Sequence, residues 1–178
     1  MKELKIFARA GQGAITTAAI LGEALFLEGK YSYAFPHFGA ARMGAPMNAF
    51  LRFDTNPIRS RSQITHPDYV IIVDPTLVKS VDCFKGLKDG GVAIVSVREG
   101  LKVEAPSGIK MIPLEAEKIA LEIIGKPFSN TVLLGAFSKA SGEVKIESIL
   151  KAVEKRFLAK PEVLQKNLDA VRKGYESV

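Results

Sequence analysis

Two glycines, Gly11 and Gly13, interrupt the segment K-I-F-A-R-A-G-Q-G-A-I-T-T-A-A-I at residues 5–20, and the chemistry they offer is reception of an anion. Without Cβ atoms the backbone can turn tightly from a strand into a helix. The N–H groups at such a helix start have no partner within the helix and carry the positive end of its dipole, so they receive phosphate or carboxylate oxygens. Arg9, Gln12, Thr16 and Thr17 are placed to add side-chain donors. A dinucleotide fingerprint, G-x-G-x-x-G, would need a third glycine where Thr16 stands. The turn also lacks the G-K-[ST] ending of a P-loop, which argues against a Walker-type nucleotidase. On spacing alone a plainer alternative stays open, in which the two glycines serve only the tight turn.

Groups for acid–base or nucleophilic work are scarce. Of the two histidines, His66 in H-P-D reads as part of a turn before a strand, and His37 as a packing or surface residue. No serine stands in a G-x-S-x-G elbow, and no His–Cys or His–Asp spacing suggests a nucleophile with its base. Asp74, after the apolar run Y-V-I-I-V, has two readings: a ligand for a ribose hydroxyl or a metal, or the cap of the next helix. Cys83 is the lone cysteine, so the chain forms no internal disulfide and supplies too few thiolates for an iron–sulfur cluster or a structural zinc site. It is expected to be a buried small residue on an amphipathic helix rather than a reactive thiol.

The elements that must position these residues alternate between strand and helix. Residues 2–8 read as a strand, a helix follows to about Gly29 and Lys30, and residues 31–35 and 47–53 read as strands. D-T-N-P at 54–57 is turn chemistry, so 47–53 and 58–62 are expected to pair as an antiparallel hairpin. Residues 69–73 and 92–97 are the continuous apolar runs of buried parallel strands, with a short helix at 76–84 between them. A short strand is expected at 110–112. Helical periodicity then runs from Glu115 to a stop at Gly125, resumes after a cap at Asn130, and continues through 145–157 and from Pro161 onward. This pattern predicts one domain over residues 1–178, a three-layer α/β/α fold. Its sheet is mostly parallel, with a hairpin excursion and C-terminal helices.

In such a sheet ligands collect at the carboxyl ends of the strands. Three loops should meet there: 9–14, 36–46 and the turn after Asp74. Their cations are Arg9, Arg42 and His37. F-P-H-F-G-A-A-R-M-G-A-P joins aromatic residues and an arginine with small-residue turns, a composition suited to a protein interface. I-R-S-R-S-Q-I at 58–64 is either a basic edge strand kept soluble by its arginines or a face for acidic groups of another subunit.

Composition narrows the partners. Hydrophobic residues at 47% and charged residues at 25% exclude a disordered chain. With 25 Lys and Arg against 19 Asp and Glu the formal charge is +6, which favours acidic ligands or an acidic partner surface. The cations are dispersed and lack a stacking-aromatic pattern, so no nucleic-acid partner is expected. No apolar run approaches the ~20 residues that span a bilayer, and the first residues lack a signal-peptide pattern. No membrane association is expected, and a soluble cytoplasmic protein is.

Several segments, in order, resemble the gamma subunit of the 2-oxoacid:ferredoxin oxidoreductases, the family of pyruvate synthase and ketoisovalerate oxidoreductase. They are A-R-A-G-Q-G-A-I-T-T-A-A, F-L-E-G-K-Y-S-Y-A-F-P-H-F-G-A-A-R-M-G-A-P, P-I-R-S-R-S-Q-I-T-H-P-D-Y-V-I-I-V-D-P-T-L, G-L-K-D-G-G-V-A-I-V and N-T-V-L-L-G-A-F. The resemblance implies a non-cofactor-bearing subunit of a complex that converts a 2-oxoacid and coenzyme A to acyl-CoA, carbon dioxide and reduced ferredoxin. It implies alpha, beta and delta partners, with thiamine diphosphate between alpha and beta, iron–sulfur clusters in beta and delta, and ferredoxin reached through the complex. The gamma part would serve assembly and the coenzyme A side of the active centre. Arg9, Gly11, Gln12 and Gly13 would then meet a coenzyme A phosphate, and Phe35, Pro36, Arg42, Gly44 and Pro46 would line the inter-subunit face. The isolated chain is expected to be inactive and to bind no cofactor or metal by itself. Two departures stand out. The family turn is usually G-R-G-G-Q-G, where Ala8 and Ala10 stand here, and its second loop usually carries a glutamate and a second arginine, where Ala41 and Met43 stand. The alternative to this reading is a free-standing nucleotide- or phosphate-binding α/β module.

Overall fold

Charged and apolar residues alternate along the first strand, β1 (Lys2–Arg9), and the computed structural model buries Leu4, Ile6 and Ala8 on one face of the sheet and Phe7 on the other. Residues 1–38 and 42–178 are described by the structure. After β1 come α1 (Ala14–Leu27), β2 (Tyr31–Phe38), β3 (Pro46–Asp54), β4 (Tyr69–Ile72), a 3-10 helix (Pro75–Lys79), β5 (Val92–Ser96) and β6 (Lys110–Leu114). Four helices follow: α2 (Ala116–Ile124), α3 (Asn130–Ser141), α4 (Ile146–Phe157) and α5 (Pro161–Glu176). The strands form one sheet in the order β2-β3-β1-β4-β5-β6. β1, β4, β5 and β6 pair in parallel, and β3 is antiparallel to both its neighbours, so it alone runs against the other five. The α/β class, the mostly parallel sheet and the C-terminal helices are those the sequence predicts.

The hairpin differs from the expected one. β3 pairs with β2 on one side and β1 on the other, so both of its edges are taken and residues 58–62 have no ladder to join. Those residues run instead as an irregular strap, tied down where Arg52 Nη1 donates to the Ser62 carbonyl at 2.7 Å.

One face of the sheet is sealed by helices. Leu4, Ile6, Leu51, Ile71 and Ile94 meet Ala18, Leu21 and Leu25 of α1 and Val132, Leu133 and Phe137 of α3 in a continuous apolar core. α3 and α5 approach backbone to backbone. A Cβ on Gly135 would lie 1.9 Å from the Val171 carbonyl oxygen, and one on Gly174 would lie 1.9 Å from that of Val132.

The layer on the opposite face is thinner than the second helical layer that a three-layer α/β/α fold would give. Val70, Ile72, Ala93 and Val95 are covered by Leu77 of the 3-10 helix, by Cys83 and by Val103. The helix expected at 76–84 therefore ends at Lys79, and Cys83 lies on turns beyond it, buried as expected. Among the described residues no helix is long and apolar enough to cross a membrane.

Candidate functional site

At the carboxyl edge of the sheet β1 hands over to the glycine turn while β3 begins beside it, with Arg9 opposite Pro46. The ladder continues one step into the loops: Ala10 N–H donates to the Ala45 carbonyl at 2.9 Å, and Gly44 N–H to the Ala10 carbonyl at 3.1 Å. Gly11 and Gly13 both have φ near the left-handed region, 100° and 83°. Gly13 is the N-cap of α1, and a Cβ there would lie 3.0 Å from Cγ and Nδ2 of Asn130. Asn130 opens α3, so the starts of α1 and α3 lie side by side. Ser129, not Asn130, is the N-cap of α3, and it makes no side-chain capping bond.

The first turn of α1 leaves donors open. Thr17 N–H and Oγ1 both donate to the Gly13 carbonyl, at 2.8 and 3.0 Å, which removes Thr17 from any ligand role. Among the described residues the N–H groups of Ala14, Ile15 and Thr16 have no acceptor, as the geometry of a helix start dictates. Ala14 is buried, so the N–H groups of Ile15 and Thr16 and the half-exposed Thr16 hydroxyl are what the turn presents to an anion.

Arg9 and Gln12 hold the turn from behind. Asp74 Oδ2 accepts from Arg9 Nε at 3.1 Å and from Gln12 Nε2 at 2.8 Å. Its Oδ1 accepts from Thr76 N–H at 2.9 Å and from the Thr76 hydroxyl at 2.6 Å. Arg9 also donates through Nη1 to the Gly44 carbonyl at 3.1 Å and through Nη2 to Thr76 Oγ1 at 3.0 Å. The Gln12 side-chain oxygen accepts Arg9 N–H at 2.7 Å, closing the turn on itself. A guanidinium has five N–H donors, so two of Arg9's remain for a ligand. Burial alone would raise the Asp74 pKa. The donors from Thr76 and Gln12 and the Arg9 charge outweigh it and hold the carboxyl below the usual carboxylate value. Of the two readings of Asp74, the structure shows the cap, and both carboxylate oxygens are engaged within the chain.

The three loops expected to converge do so through these bonds. Gly39, Ala40 and Ala41, in the middle of the second loop, lie outside the described residues. Arg42, Gly44 and Pro46 are exposed beside the turn. Met43 is 87% exposed, and its Sδ sits 2.7 Å from where a Gly11 Cβ would stand, so the thioether occupies the space the glycine leaves. Phe35 lies in β2 as expected, and Pro36 joins it there rather than the loop, because that strand runs on to Phe38. Phe35 is half-buried against Phe50 at 5.1 Å between ring centres, and Pro36 is exposed on the edge strand, where its missing N–H costs no ladder bond. His37 faces Gln63 Nε2 through Nδ1 at 3.0 Å, and His66 meets the Thr65 hydroxyl in its turn. Two participants were not assigned to the site from sequence. Thr76 carried a readable signal, the D-P-T spacing of an Asp side chain bonding two residues on. The contact of Asn130 with Gly13 joins residues far apart in the chain and carried none.

The turn, its brace and the convergent helix starts all lie at the carboxyl edge of this one sheet. The Pyruvate ferredoxin/flavodoxin oxidoreductase family model matches residues 3–177. The chain belongs to that family. Within it, the chain is 48% identical over 181 residues to the pyruvate/ketoisovalerate oxidoreductases common subunit gamma of Pyrococcus furiosus, covering 99% of this chain and 96% of the relative. It is 44% identical over 178 residues to pyruvate synthase subunit PorC of Methanothermobacter thermautotrophicus, covering 100% and 96%. The solved structure of the pyruvate oxidoreductase subunit PORC of Thermotoga maritima superposes with a TM-score of 0.82 at 36% identity, covering 98% of this chain and 95% of that one. The family match takes in the glycine turn, the second loop, Asp74 and Asn130 together.

Proposed function

We propose that this chain is the gamma subunit of a multi-subunit 2-oxoacid:ferredoxin oxidoreductase, one gamma-type domain over residues 1–178. The complex converts a 2-oxoacid, coenzyme A and oxidised ferredoxin to acyl-CoA, carbon dioxide and reduced ferredoxin. The observation that carries this reading is the match of residues 3–177 to the family, with relatives of nearly equal length named as gamma subunits. The partners are alpha, beta and delta subunits, which hold thiamine diphosphate and the iron–sulfur clusters. Cys83 does not fit a cluster: it is the single cysteine, it is buried, and burial pushes its thiol up to about 12.

The anion edge fits a coenzyme A phosphate. The N–H groups of Ile15 and Thr16 and the two uncommitted donors of Arg9 receive phosphate oxygens, with Gly11 letting the backbone approach and Gln12 and Asp74 holding the turn still. Arg42, Gly44 and Pro46 beside the turn, with Phe35 and Pro36 on β2, line the face toward a partner subunit. The chain contributes binding and orientation, and the partner subunits carry the bond-making chemistry.

Affinity purification from the source cell recovers a thiamine-binding subunit and a cysteine-rich subunit with this chain, and the isolated chain shows no oxidoreductase activity. In the assembled enzyme Gly13→Ala raises KM for coenzyme A about tenfold or more, a loss of roughly 1.4 kcal/mol, and leaves KM for the oxoacid unchanged. Recovery of no such subunits, or turnover by the chain alone, overturns the reading.

A further inference from the structure

Outside the ligand turn, the outer face over β2, β3 and β1 is a polar–aromatic lattice. Strand register aligns Tyr33, Arg52 and Glu3 in one row, Phe35, Phe50 and Lys5 in the next, and His37, Asn48 and Phe7 in the third. The strap at 58–64 lies over this lattice. Ile64 is buried beneath it, and Arg59 and Arg61 point to solvent. Arg61 is held in place: Nη1 donates to the Ile58 and Ser60 carbonyls at 2.9 and 3.1 Å, and its guanidinium lies 4.2 Å from the Tyr33 ring centre. Lys5 Nζ lies 4.6 Å from the Phe7 ring centre and 5.9 Å from that of Phe50.

These cations lack local counter-charges. Residues 55–67 contain no carboxylate. The carboxylates that flank them are committed: Glu3 to Arg52 at 2.7 Å, Asp54 to the N-terminal amine, and Asp68 to Lys2 and Lys88. Among the described residues Lys5, Arg59 and Arg61 form no ion pair within 4 Å, with Asp82 facing Lys5 from farther off. Like charges gathered without compensation disfavour the free surface and are relieved by an acidic partner. A guanidinium already fixed on a ring meets a carboxylate at little further ordering cost.

We propose that Arg59 and Arg61 form a docking face for an acidic segment of another subunit of the complex, an inference that rests on the gamma-subunit reading. A protein partner fits better than RNA. Single strands bind by stacking bases on open aromatic faces. Here Tyr33 stacks on Phe35 at 5.0 Å, Phe35 meets Phe50, and Arg61, Arg52 and Lys5 lie over the rings.

The test uses the assembled enzyme. Arg59→Glu with Arg61→Glu weakens association of the chain with its partner subunits about tenfold or more, and Arg59→Gln with Arg61→Gln weakens it less, while thermal unfolding of the isolated variants matches the unmodified chain. Carbodiimide treatment of complexes carrying Arg61→Lys joins position 61 to an Asp or Glu of another subunit, read by mass spectrometry. Charge-reversed chain that assembles with unchanged affinity and salt resistance overturns the docking face and leaves the gamma reading intact. Nuclease-sensitive absorbance that is lost in the reversed variant overturns it in favour of RNA. Unmodified chain that captures no other subunit overturns both.

Discussion

On its helical face the sheet meets a continuous apolar core closely packed by α1 and α3, whereas its opposite face carries Glu3, Lys5, Arg52 and His37 among aromatic rings. The contrast separates two duties. Helices that touch through glycines have no room for change, so the first face fixes the fold. The second face is covered by a strap, a 3-10 helix and turns, which hold side chains in place with few buried contacts and leave charge at the surface. The carboxyl edge, where both faces end, takes its rigidity from one and its polar groups from the other.

The largest effect that would break this contrast belongs on the helical face. Gly135→Ala would drive a methyl into the Val171 carbonyl, and a loss of more than about 3 kcal/mol is expected in denaturant unfolding. A neutral result would show that α3 and α5 can separate cheaply. Next comes the brace at the edge. Asp74→Ala leaves the Arg9, Gln12 and Thr76 donors without their acceptor and should cost about 2 kcal/mol. Because the folded Asp74 pKa is depressed, its contribution is fully present above the ordinary carboxylate pKa of about 3.9 and is lost as pH falls through the lower folded value. Asp74→Asn should therefore flatten that acid limb of a stability–pH curve.

The smaller effects sharpen the contrast on the outer face. Cys83 should resist a thiol reagent in the native protein and react fully in denaturant, since it is 1% exposed. Rapid native labelling would mean that the cover over β4 and β5 opens readily. Arg61→Ala should cost less than about 1 kcal/mol of stability, the scale of an exposed cation–π contact. A larger loss would make the strap part of the fold's foundation.

The sequence made the helical face legible and the outer face only partly so. Helical periodicity, Gly125 as a stop and Pro161 as a start report local physics, and α2, α4 and α5 follow them. The apolar runs at β4 and β5 were equally plain. Residues 58–62 have strand-like spacing, yet strand formation needs an open edge, and whether β2 had already filled the edge of β3 is a tertiary matter. At the site the glycines and Arg9 were visible. That Arg9 and Gln12 would be drawn inward by Asp74, more than 60 residues away, is a consequence of β1 lying beside β4 that no local pattern carries.

β1 precedes both of its partner strands in the chain and is central in the sheet, and this order governs how the protein comes off the ribosome. Its partners, β3 and β4, pair Ile6 with Ala49 and with Ile71. For the time it takes to synthesise those residues the first strand has an apolar face and two unfilled edges, a state prone to mispairing. Contacts this far apart in sequence also slow the final collapse. A chaperone that shelters the nascent chain until residue 73 has emerged would thus matter more to this protein than to one whose first strand pairs with its second.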